Sequence, residues 1–97
     1  MALNQKLTRV IAGRTVVGVD TSAAQCLVHF DDGSHMVVKV SAPPVSPDQR
    51  GKVTRVRQSG TALDIDLDDN ATIAFTTADL MGCVMVRAAT NALEYAD

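Results

Sequence analysis

Cys26-Leu-Val-His-Phe-Asp-Asp-Gly-Ser-His-Met-Val-Val38 decides the fold, and Leu63-Asp-Ile-Asp-Leu-Asp-Asp-Asn-Ala-Thr-Ile-Ala-Phe75 repeats its message. In each stretch apolar residues recur every second position on both sides of an acidic tripeptide, the period that puts one set of side chains on one face of a strand. The inward set is Cys26, Val28, Phe30, Met36 and Val38 in the first, and Leu63, Ile65, Leu67, Ile73 and Phe75 in the second. Directly opposed residues of an antiparallel pair share a face, so Val28 should meet Met36 and Cys26 should meet Val38. Each loop is then three residues long: Asp31, Asp32 and Gly33, or Asp68, Asp69 and Asn70. Such loops are commonly a type I turn followed by one left-handed residue, a conformation that glycine adopts freely and asparagine tolerates. Positive φ is therefore expected at Gly33 and Asn70.

Sliding the chain along itself by the 37 residues that separate Val16 from Val53 aligns segments 14–40 and 51–77 without a gap. The match of buried positions and turn chemistry reads as an internal repeat of a three-stranded meander. The first strands are expected at about 14–20 and 52–58. Their valines stand three apart (Val16 and Val19, Val53 and Val56), which a flat strand cannot aim at one face, so each should carry a bulge or strong bend. Residues 41–51 contain Pro43, Pro44 and Pro47, which have no amide hydrogen for a ladder, and form the linker between repeats.

Outside the repeats, Leu3, Leu7, Val10 and Ile11 are spaced as on one helix face before Gly13, predicting a short amphipathic helix over 3–12. A strand through Leu7 to Ile11 is the competing reading. Thr77 to Gly82 reads as one capped helical turn closed by glycine. Cys83–Ala88 and Ala92–Ala96 read as a last hairpin, with Val84, Val86, Leu93 and Tyr95 on one face and the turn over Thr90-Asn91.

The 97 residues make a single domain, 1–97, in which two repeats must share one core. Mixed charge with a net of −2 and three aromatic residues argues against a general grip on nucleic acid, which wants a basic groove with stacking platforms. No segment has the pattern of a leader or a membrane span, and the two cysteines are too few for a disulfide framework, so the expected compartment is the cytoplasm. No cofactor motif is present.

The outward positions differ between repeats. The first shows Leu27, His29, His35, Val37 and Lys39; the second shows Asp64, Asp66, Thr72, Ala74 and Thr76. The second face is read as solvated. The first is half apolar and should be covered by the N-terminal helix or by another chain, which makes Leu27, His29, His35 and Val37 the candidate protein interface. His29 and His35 face each other near Asp31 and form a possible zinc or iron pair. Arg50, Lys52, Arg55 and Arg57 are the one basic cluster and a possible phosphate-contacting strand, though the acidic neighbours favour cross-strand ion pairs. Asp64 to Asn70 opens like a calcium loop but has Asp69 and Phe75 where glycine and glutamate are needed.

In element order, a short helix followed by a bent small sheet resembles Sm-like and SH3-like barrels, an analogy that carries no site. The resulting expectation is an all-β, mainly antiparallel barrel or sandwich built from two meanders, with an N-terminal helix and a C-terminal hairpin. The first functional expectation is a non-catalytic binding or assembly module that contacts a protein partner or a second copy of itself. A small nucleic-acid-binding barrel comes second, and a metal-dependent enzyme using His29 and His35 third.

Overall fold

Alternation in the sequence becomes pairing in space. The computed structural model describes residues 1–97 and contains β1 (Ala2–Leu3), α1 (Gln5–Ile11), β2 (Thr15–Thr21), β3 (Gln25–Phe30), β4 (His35–Lys39), β5 (Gly51–Ser59), β6 (Ala62–Leu67), β7 (Thr72–Thr76), β8 (Val84–Arg87) and β9 (Leu93–Ala96). Pairing is antiparallel throughout. Val28 lies opposite Met36 and Cys26 opposite Val38, while Ile65 lies opposite Ile73 and Leu63 opposite Phe75. β2 and β5 each carry the expected irregularity, between Val16 and Gly18 and between Val53 and Arg55, which lets both valines of each strand turn inward.

The same 37-residue offset carries one meander's register onto the other. Val16–Phe30 maps to Val53–Leu67, Val19–Val28 to Val56–Ile65, and Gln25–Lys39 to Ala62–Thr76. It extends to polar detail, since Asp31 accepts from the Thr15 N–H at 3.2 Å and Asp68 from the Lys52 N–H at 3.0 Å. Gly33 and Asn70 have φ of 85° and 60°. The second loop departs from the expected type I turn because Asp69 is also left-handed, at φ 63°, within a short 3₁₀ segment over Asp68–Asn70.

The strands form one open sheet in the order β7-β6-β5-β2-β3-β4-β8-β9, with β1 on β5, so of the expected barrel or sandwich the closed barrel is not made. Closure fails at the linker. Val45 takes the edge of β7 by exchanging hydrogen bonds of 2.8 and 3.1 Å with Ala74, and the prolines on either side cannot extend that pairing. The open sheet still wraps a common core, since Val28, Phe30, Met36 and Val38 from one meander and Leu63, Ile65, Ile73 and Phe75 from the other belong to one buried cluster.

Residues 5–11 are helical, which decides against the strand reading. Asn4 caps α1 by accepting from the Leu7 N–H at 3.0 Å, and Gly13 at φ 91° lets the chain turn out of it. Leu7 and Ile11 are fully buried in the core, so α1 does not lie on the outer face of the first meander. It instead completes the edge of β5 between β1 and β2. The Val56 N–H donates to Thr8 Oγ1 at 3.0 Å, the Asn4 N–H donates to the Val56 carbonyl at 2.9 Å, and the Gly13 N–H reaches the Val53 carbonyl at 2.8 Å. A strand edge that would otherwise be open is thereby paired.

Two expectations near the C-terminus are corrected. Thr77 forms a bridge with Val40 and residues 78–82 form bends, not a helical turn, because the Thr77 N–H is bound to the Thr61 carbonyl and the Ala78 N–H to that of Lys39. In the last hairpin Val86 faces Tyr95 as expected, but a register shift between Val86 and Arg87 pairs Leu93 with Arg87 and leaves Leu93 exposed. Its loop is again three residues, with the Ala88 N–H on the Ala92 carbonyl and Asn91 at φ 72°.

Candidate functional site

Two surface features are built by this register, one on each half of the sheet. The first is a polar pocket of about 400 Å³ over β5 and β6, lined among others by Thr54, Arg55, Arg57, Asp66, Asn70 and Thr72. Asp66 occupies an outward position that alternation marks as solvated, yet it is only 8% exposed. The cause is overhead cover by two arginines. Arg55 Nε and Arg57 Nε each donate to Asp66 Oδ2 at 2.7 Å, and Arg57 Nη2 and the Thr72 hydroxyl donate to Oδ1 at 2.9 and 2.8 Å. The Arg57 contacts foremost, then those of Arg55 and Thr72, hold the Asp66 carboxyl well below the usual carboxylate range despite its desolvation.

Arg55 and Arg57 do not behave alike. Arg57 is turned inward onto Asp66 and, at 3.4 Å, Asp64, whereas Arg55 gives only its Nε and leaves both terminal nitrogens without a partner in the chain. The other members of the basic cluster are elsewhere: Arg50 folds onto the carbonyls of Pro47 and Gln49, and Lys52 is exposed, neither lining the pocket. The four-residue basic strand is thus resolved into a pair with a pocket and two separate surface cations.

The same register position in the first meander holds a smaller hydrogen-bonded pair, with the acidic and basic residue types exchanged between the two strands. His29 Nε2 lies 2.8 Å from Asp20 Oδ2, and the 37-residue offset carries these residues onto Asp66 and Arg57. His29 and His35 are directly opposed, as expected, but Asp31 is turned to the Thr15 amide. No group of three or more His, Cys, Asp or Glu side chains is placed to hold a metal ion.

The second feature is the apolar outer face. Leu27 is opposite Val37, Val37 opposite Met85 and Met85 opposite Ala96, an unbroken row across β3, β4, β8 and β9. Beside it a groove of about 180 Å³ is lined by Val37, Lys39, Cys83, Met85, Ala96 and Asp97. In the loop that enters it at Gly82, Leu80 and Met81 are 65% and 74% exposed. Sequence reasoning had Leu27 and Val37 but missed Met85, Leu80 and Met81. The available signal was Val84-Met85-Val86, a strand apolar on both faces where one face should be polar.

Comparison with protein-family models, with curated proteins and with solved structures returns no significant match.

Proposed function

We propose that the protein is a non-catalytic binding and assembly module that acts through protein contacts on the outer face of β3, β4 and β8, and that its two meanders are copies of one unit. The observation that carries this reading is the placement of α1. With Leu7 and Ile11 committed to the core, the chain's own candidate cover is withdrawn from Leu27 and Val37. At the matching positions of the second meander stand Asp64 and Ala74, so the scaffold accepts a charge there and the core does not require leucine. Apolar side chains in a continuous row, beside a groove and exposed Leu80 and Met81, have the composition of a contact surface.

The occupant we favour is a second copy, because a two-fold axis through this row brings the same apolar patch together from both chains. The methionines report on it directly. In a protein labelled at its methionine methyls, the Met85 and Met81 signals should move with protein concentration, while Met36, fully buried, should not. Spectra unchanged across micromolar to millimolar concentration would overturn self-assembly through this face.

A further inference from the structure

We infer that the pocket over β5 and β6 is a binding site for a small phosphate-bearing molecule, held by the terminal nitrogens of Arg55 and the side-chain amide of Asn70. The pocket is independent of the apolar face, since none of its lining residues belongs to β3, β4 or β8. Its volume of about 400 Å³ lies within the range of small-molecule sites. Asp66 has four donors on its two oxygens, so it is fully occupied as an acceptor and acts as an anchor for the arginines. What remains for a ligand is the reverse of what first strikes the eye in an acidic strand.

Arg55, fixed at Nε, presents its two terminal nitrogens from a side chain that is 59% exposed, a rigid fork suited to two oxygens of an oxyanion. Asn70 lines the same pocket, and its side-chain amide makes no hydrogen bond within the chain, which leaves it as a second donor for the anion. Arg57 is matched by Asp66 and Asp64, so the positive end left open to the pocket is that of Arg55. Thr54 and Thr72 donate their hydroxyl protons to the Asp66 carbonyl and carboxylate, so what their oxygens have left to offer is acceptance, which suits a hydroxyl on the same ligand. A polyanion fits less well. Arg50 and Lys52 lie outside the pocket, while Asp68 and Asp69 are exposed in the loop that ends at Asn70.

The test is titration of the full-length, isotope-labelled chain with inorganic phosphate at constant ionic strength, read by amide and side-chain NMR. Saturable shifts at the Arg55 guanidinium, the Asn70 side-chain amide and Thr72 are expected. Arg55→Gln should weaken the binding by about tenfold or more, and Asn70→Gly, whose backbone conformation glycine adopts freely, should weaken it while leaving the fold intact. Linear, non-saturating shifts, or affinity unchanged in Asn70→Gly and Arg55→Gln, would overturn the site. So would a single-stranded oligonucleotide that binds more tightly than phosphate and loses its affinity steeply with salt, because that is a polyanion surface and not a pocket.

Discussion

At Gly33 two constraints coincide. Its φ is 85°, and a Cβ built there would stand 3.0 Å from the Cβ of Ala89, in the loop of the last hairpin. Gly33→Val should therefore destabilise the fold by about 1–2 kcal/mol or more, measured by urea unfolding, since it meets backbone strain and a neighbour. Asn70 has the same sign of φ, so Asn70→Gly should be neutral or slightly stabilising in the same assay. Equal effects at the two positions would refute the assignment of both as left-handed third residues. Asp66 supplies a second residue-level expectation. Its folded pKa is depressed, so its contribution is complete above the ordinary carboxylate value near 4 and is lost as pH falls below it. Asp66→Asn should cost about 1–3 kcal/mol at neutral pH, the range for charge-assisted bonds partly open to solvent. The gap between wild type and variant should close as the pH is lowered toward the acid limit; a gap independent of pH would contradict the ion-pair account.

Among the elements, α1 shows most clearly how local and long-range requirements meet. Its amphipathic spacing and Asn4 cap make it a helix, but its place is set by hydrogen-bond completion along β5, where Thr8 Oγ1 accepts from the Val56 N–H and donates to the Val56 carbonyl at 3.4 Å. Thr8→Val keeps the shape and removes both bonds. It should destabilise by about 1–3 kcal/mol and accelerate amide exchange at Val56 ahead of the rest of β5, because a strand N–H is left without a partner. Exchange at Val56 unchanged by the substitution would mean that the helix does not complete this edge. Arg14, just ahead of β2, plays a comparable part by joining β9 to the residue before β4, donating to Glu94 at 2.8 and 2.9 Å and to the Ser34 hydroxyl at 2.9 Å.

Strand pairing within each hairpin was legible, since a two-residue period and a three-residue loop leave one register that buries Cys26, Val28, Phe30, Met36 and Val38 together. Sheet closure was not, because periodicity says which face is buried and nothing about which edges meet; that depended on Val45 pairing with Ala74. Likewise, alternation put Asp66 outside, and no feature of a strand sequence tells how far two arginine side chains will fold over a neighbour. The bends at 78–82 escaped notice because Thr77 suits a helix cap and a sheet bridge equally, and its partner Val40 lies far away in sequence.

At the scale of the whole molecule, the association proposed above runs through the row Leu27, Val37 and Met85. A two-fold arrangement about that row also gathers His29 and His35 from both copies, with Asp20 hydrogen-bonded to His29 and Arg87 across the ladder from His35 within each chain. Sedimentation velocity at low micromolar concentration tests this association most directly, on wild type and Leu27→Asp. The account predicts a wild-type species of twice the 10.3 kDa chain mass and a folded monomer for Leu27→Asp. A wild-type monomer would contradict it.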